Sequence, residues 1–263
     1  MTLERNAEFL LLPERPERPR ETGLTHVIDK GLTLGQVEGM LEIAGDYVDI
    51  VKLGWGSSYI TGNLREKIAI YRDAGAEVVL GGTFFETCLL QGRLEEWREF
   101  IDSLGLGLVE ISDGIVEIPT ETKLDWIRRM SADFRVLSEV GSKDDEVVVA
   151  PSRWVASIQE ELGAGSWRVI TEARETGTAG IFRADGEVRM GLIEEIVTSI
   201  DHSKLIFEAP QKAQQVWFIR MLGSNVNVGN IPPDEVLPLE SLRLGLRADT
   251  LRDIHGDHPG ADS

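Results

Sequence analysis

Short apolar runs and amphipathic segments alternate along the whole chain. Eight runs read as strands: THVIDKG at 25–31, YVDIVKLGWG at 47–56, EVVLGGTFFE at 77–86, GLVEISDG at 107–114, RVLSEVGSK at 135–143, RVITEARETG at 168–177, KLIFEAP at 204–210 and VNVGNI at 226–231. Between them lie LGQVEGMLEIAG, LREKIAIYRDAG, LEEWREFIDSLG and SRWVASIQEELGAG, each with apolar residues at helical spacing and a glycine where a helix would stop. Eight strands separated by helices within 263 residues predict an α/β fold of the (β/α)8 TIM-barrel type. A doubly wound open sheet would carry a glycine-rich nucleotide turn after its first strand, and THVIDKG offers none. No linker or compositional shift marks a second domain. The expected layout is an extended arm over residues 1–24, a single barrel over 25–251, and a polar, disordered tail over 252–263.

The strand ends carry charge in a common phase. Residues two apart share one face of a strand. Counting back from each terminal glutamate pairs Leu108 with Glu110, Leu137 with Glu139, Ile170 with Glu172 and Ile206 with Glu208. The second strand repeats the layout with Ile50 and Lys52, and the eighth places Asn227 in the series. If this face points inward, the carboxyl end of the barrel holds four acids, a lysine, an amide and Arg174, at the end where barrel enzymes do their chemistry. One charged residue at a strand end is ordinarily a helix cap or a solvated ion pair; four successive strands in one phase are harder to account for that way. Unpaired buried charges are costly, so a metal or buried cations must compensate them. Oxygen ligands without a cysteine or histidine cluster suit Mg²⁺, and Glu139, Glu172 and Glu208 are the expected ligands. Lys52, Lys143, Arg174 and Lys212 then point to an anionic substrate. Lys30 after the first strand, Gln211 and Lys212 after the seventh, and Asn227 and Asn230 on the eighth are the expected substrate-binding residues.

Composition narrows the rest. A net charge of −18 argues against a nucleic-acid partner. The one dense basic stretch, RPERPR at 15–20, is broken by prolines and a glutamate and reads as an arm lying on the surface. No run of about eighteen apolar residues predicts a membrane span, and the charged MTLERNAEF start does not resemble a signal peptide, so a cytoplasmic protein is expected. Cys88 is the only cysteine, which excludes an internal disulfide and reads as a small core residue. His255 and His258 fall in the polar tail, His26 lies on the first strand, and Trp55 in KLGWGSS is expected at the barrel mouth.

The chain also resembles the phosphosulfolactate synthase family, which is related to plant heat-stress-associated barrel proteins. The resemblance rests on DKG at 29–31, DYVDIVKLGWGSS at 46–58, GGTFFE at 81–86, VEISDG at 109–114, SEVGSK at 138–143, ITEARETGTAGI at 170–181, IFEAPQK at 206–212, NVNVGNI at 225–231 and LESLRLGLRADT at 239–250. The PRETG arm and the SEVGSKD wording look like the bacterial branch. Departures are small: Ser57, Phe84 and Thr176 stand where the family often has threonine, leucine and serine, and none removes a charge. The resemblance implies a (β/α)8 barrel, a Mg²⁺ requirement, and addition of sulfite to phosphoenolpyruvate to give (R)-2-phospho-3-sulfolactate. In that reaction Lys143, Lys52, Arg174 and Glu208 are the expected catalytic residues, with Lys143 as general acid, Glu208 orienting a cation or metal-bound water, and Gln211 and Lys212 taking the phosphate. A homo-oligomer is expected of such a barrel. The alternatives are another Mg²⁺-dependent barrel enzyme acting on a phosphorylated acid or enolate, and a non-catalytic stress protein that keeps the barrel.

Overall fold

The computed structural model describes residues 7, 9–141 and 149–256. Its sheet has eight parallel strands: β1 (Thr25–Asp29), β2 (Ile50–Leu53), β3 (Glu77–Leu80), β4 (Leu108–Ile111), β5 (Arg135–Val140), β6 (Arg168–Thr171), β7 (Leu205–Glu208) and β8 (Val228–Ile231). The order β3-β2-β1-β8-β7-β6-β5-β4 is that of a (β/α)8 barrel. The seam between β3 and β4 has no backbone ladder among the described residues, and a side chain spans it: Gly82 N–H donates to Glu110 Oε1 at 2.6 Å.

Alternation along the strands divides the core in two. Val27, Val51, Val78, Val109, Val136, Val169, Phe207 and Val228 face outward and pack under the helices. Leu24, Ile50, Val79, Leu108, Leu137, Ile170 and Ile206 face inward and form a separate apolar plug. Apolar residues on both faces are what a parallel sheet covered by helices requires. The inward set fixes the phase of the next residue up each strand, so Lys52, Glu110, Glu139 and Glu208 sit directly above this plug.

Several sequence boundaries move. The third strand stops at Leu80, and TFFE belongs to the helix Gly82–Leu90, where Gly81 and Gly82 make the turn. The last helix, Ala248–His255, takes residues 252–255 out of the expected disordered tail, and the His255 ring reaches Leu244 O. His258 lies outside the described residues.

The arm is more than a surface strand. Arg15 is buried against Glu240 at 2.9 Å and donates to Gly23 O. Arg20 pairs with Asp49 at 2.8 Å, and Asp49 in turn accepts from Thr25 N–H. Glu21 pairs with Arg168 of β6 at 2.6 Å. These contacts tie the arm across the amino end of the barrel, opposite the expected site.

Candidate active site

Strands β2, β4, β5 and β7 deliver Lys52, Glu110, Glu139 and Glu208, and the turn after β6 delivers Glu172; all five line one cavity of about 470 Å³ at the carboxyl end. That volume lies within the ordinary range for small-molecule sites. Lys52 is the hub. Its Nζ donates to Glu208 Oε1 at 3.0 Å and lies 3.5 Å from Glu110 Oε2. Burial disfavours the ammonium, but Glu110, Glu208 and Glu139 more than offset it, and the amine is held protonated well above the ordinary lysine range. Glu110 has the opposite balance: burial raises it, Lys52 and the Gly82 N–H oppose, and Glu139 and Glu208 add repulsion, leaving it pushed up to about 7.

Glu208 uses both oxygens, one on Lys52 and the other accepting from Ala173 N–H at 2.9 Å. Glu172 accepts from Arg174 N–H. Among the described residues, no three His, Cys, Asp or Glu side chains form a preformed ligand group. The expected Glu139–Glu172–Glu208 set is therefore not assembled as a metal cage, because Glu208 is committed to Lys52 and the β6 turn.

His26, absent from the expected site, is fully buried on β1, and a Cβ at Gly229 would lie 2.9 Å from its Nδ1. Burial, reinforced by Lys52, lowers the imidazole well below its usual range, so it is a neutral group in the barrel interior. Nothing in the spacing of THVIDKG distinguishes it from an ordinary core histidine. Beside the mouth, Lys123 is held by Glu161 at 2.6 Å and Asp113 at 2.7 Å, and donates to Glu139 O at 2.7 Å. It fixes the end of β5 from the helix Thr120–Met130. Glu86 does the same for the turn after β4, accepting from the Ser112 hydroxyl and from Ile115 and Val116 N–H.

The remaining expected residues divide. Arg174 and Asn230 line the mouth cavity, as does Trp55, whose Nε1 donates to Glu175 Oε2 at 2.8 Å. Asn230 gets there through an irregularity. The β1–β8 register shifts between Thr25/Val228 and Val27/Ile231, and Asn230 takes φ 54° at the extra residue.

Asn227 is displaced to the other end of the barrel. It accepts from Leu24 N–H at 3.0 Å and donates to Leu205 O at 2.9 Å, because β8 starts at Val228, level with Thr25. Lys212 turns outward to Asp249 at 2.9 Å, on the last helix. Gln211 caps its own helix with Gln214 and donates to Thr176 O at 2.6 Å, so it serves the helix start and the β6 turn and does not line the cavity. Lys30 is exposed after β1, outside the cavity lining. Lys143 lies outside the described residues.

Residues 13–249 match the family described as (2R)-phospho-3-sulfolactate synthase (ComA). The phosphosulfolactate synthase of Bacillus subtilis (strain 168) is 43% identical over 244 residues, covering 92% of this chain and 97% of the relative. That of Methanocaldococcus jannaschii is also 43% identical, over 236 residues, covering 88% and 94%. Among solved structures, a 3-hexulose-6-phosphate synthase from Salmonella typhimurium superposes with a TM-score of 0.53 at 14% identity, covering 82% of this chain and 98% of that one. That likeness concerns the barrel fold alone.

Proposed function

The chain belongs to the (2R)-phospho-3-sulfolactate synthase family, and from that premise we propose that its mouth cavity adds sulfite across the double bond of phosphoenolpyruvate with Mg²⁺ as cofactor. The observation that carries this reading is Lys52, a lysine buried among carboxylates on the floor of the cavity.

Both reactants are anions, and bringing them together in one orientation is the main obstacle. Sulfur donates its lone pair to the methylene carbon and forms the C–S bond. The π electrons move toward the substrate carboxylate, and a proton then reaches the carbon that bears the phosphate ester, which stays intact. Lys52 supplies fixed positive charge at the floor, and Arg174 supplies it at the rim. Because Glu110 and Glu208 hold the Lys52 proton tightly, Lys52 acts through charge, and proton delivery falls to Lys143.

The donor set fits a divalent cation. Carboxylates in the cavity outnumber its cations, and Mg²⁺ is ordinarily held by one or two carboxylates together with substrate oxygens and water, without a full protein cage. Glu139 and Glu172 are the residues that would hold it. When bound, Mg²⁺ supplies positive charge against the carboxylate on which negative charge accumulates.

The test is sulfite-dependent consumption of phosphoenolpyruvate, followed by ³¹P NMR with and without Mg²⁺. The expected result is a new phosphate-ester resonance without release of inorganic phosphate. Consumption that does not depend on sulfite overturns the reading.

A further inference from the structure

Among the described residues, three non-glycine residues adopt left-handed backbones: Trp55, Arg174 and Asn230, each with φ 54°. All three line the mouth cavity. Such torsions are unfavourable for residues with a Cβ, and they persist only where the surroundings enforce them. Trp55 is held from two sides. Its backbone N and O lie so close to Gly81 that a Cβ there would come within 2.6 and 3.0 Å of them. From across the mouth, Glu175 accepts its indole N–H at 2.8 Å.

The connection spans the site. Trp55 stands three residues past Lys52, after β2, and Glu175 stands three past Glu172, after β6. In the strand order, three strands separate β2 from β6 in either direction, so the two turns face each other across the barrel's diameter. Trp55 is 40% exposed and lines the cavity. The turn that carries Glu175 is itself anchored, since Gln211 donates to Thr176 O and Gln214 to Gly177 O.

We propose that Trp55 and Glu175 form a specificity-determining bridge over the mouth, limiting the site to the smallest enol phosphate acids and excluding homologues with a longer carbon chain. The inference rests on the phosphoenolpyruvate reading and says which feature sets its size limit. A hydrophobic wall discriminates one extra methyl by roughly tenfold or more when it is rigid, and the carboxylate is what makes this indole rigid.

The test is calorimetric affinity, in Mg²⁺-containing buffer, for phosphoenolpyruvate and for its (Z)-3-methyl homologue. It is measured on the wild-type protein, Trp55→Phe, Glu175→Ala and the double variant, with thermal melts as a check on folding. Wild-type protein is expected to prefer phosphoenolpyruvate by about tenfold. Each single variant is expected to cut that ratio to about twofold, and the double variant to change it no further, because both remove one and the same bond. A merely structural role weakens both ligands in parallel and leaves the ratio unchanged, which overturns the bridge. Additive effects of the two substitutions on the ratio, or a wild-type protein that binds both ligands equally, also overturn it. Wild-type protein that binds neither compound overturns the phosphoenolpyruvate reading, and the bridge with it.

Discussion

Lys52 and Glu208 meet at 3.0 Å in the barrel interior, although 156 residues separate them in the chain. A buried ion pair of this kind adds little net stability, but removing one partner strands the other in a medium that cannot solvate it. Lys52→Met is therefore expected to lower stability by about 3–5 kcal/mol, measured by urea unfolding. Adding Glu208→Gln should restore part of that loss, since one of the two carboxylates left without Lys52 is then neutral. Turnover should fall at least about a hundredfold in both proteins, because neither keeps the cation at the floor of the cavity. Full stability in Lys52→Met, or wild-type turnover in either, contradicts the role assigned to this pair.

Glu110 gives the fold a pH dependence. Burial, with repulsion from Glu139 and Glu208, pushes its carboxyl up to about 7 from the ordinary 4.5, so the folded state holds the proton more tightly than the unfolded chain does. That preference is fully present below pH 4.5 and is lost as the pH rises through about 7. In metal-free buffer, Glu110→Gln is expected to flatten the decline in stability between those limits, since the amide still accepts from Gly82 N–H. Melting curves across this range, wild type against variant, measure the difference. A variant whose stability falls with the wild-type slope shows that Glu110 is not the group responsible.

How much of the site was legible in the sequence follows from what a single strand can encode. The two-residue period sets which way a side chain points, and Ile50/Lys52, Leu108/Glu110, Leu137/Glu139 and Ile206/Glu208 obeyed it. The period does not set a strand's height relative to its neighbours. Asn227 kept the inward phase, yet the stagger of β8 against β1 leaves it level with Leu24 at the amino end. Asn230 reaches the mouth through a register shift that strict alternation cannot anticipate. Lys212 and Gln211 sit at the expected helix start, but their partners, Asp249 and Thr176, lie 37 and 35 residues away in the chain, and only the packed structure brings them near. The arm's buried arginines escaped for the same reason. Their acceptors are Glu240, inside the helix Val236–Arg243, and Asp49, just before β2, neither of which the sequence places beneath the arm.

The placement of the two asparagines is testable. Asn227→Ala should lower stability by about 2 kcal/mol, because it leaves the buried Leu24 N–H without its acceptor, while the KM for phosphoenolpyruvate stays unchanged. Asn230→Gly should keep stability near wild type, since glycine suits a left-handed backbone, and should raise KM. Lys212→Ala, which removes an exposed pair with Asp249, should leave KM unaltered. Steady-state kinetics combined with thermal melts separate these outcomes. A raised KM in Asn227→Ala or Lys212→Ala places substrate where the structure does not.

Metal binding can be read without turnover. Mg²⁺ that binds only the folded protein raises the melting temperature in proportion to its affinity. Glu139→Gln and Glu172→Gln are each expected to weaken this stabilisation by about tenfold in Mg²⁺ concentration, the lower end of what loss of a supporting group costs a metal site. Glu208→Gln should change it less, since its oxygens serve Lys52 and Ala173 N–H. An unchanged response in both Glu139→Gln and Glu172→Gln moves the metal to Glu110 or Asp113.

The proton donor can be approached by elimination. The Lys52 ammonium is buried beside Glu110 and Glu208, which with Glu139 favour its charged form and make it a poor proton donor. His26 is neutral and buried in the barrel interior, outside the cavity lining. Arg174 lines the cavity with a planar guanidinium whose fork of donors suits binding the anion. Lys143, four residues past Glu139 in SEVGSK, is the lysine the sequence makes the first candidate at this end of the barrel, ahead of Lys30 after β1. A single product configuration requires a donor fixed on one face of the substrate, so losing it should affect both rate and stereochemistry. Lys143→Ala is expected to lower turnover by roughly a hundredfold or more, the scale of losing a positioned acid, while the Mg²⁺-dependent rise in melting temperature persists. In deuterated solvent, the residual product should carry deuterium at the phosphate-bearing carbon in both configurations. If the variant gives configurationally pure product at a modestly reduced rate, Lys143 contributes only charge and the proton comes from elsewhere, with Lys30 after β1 the next residue to substitute.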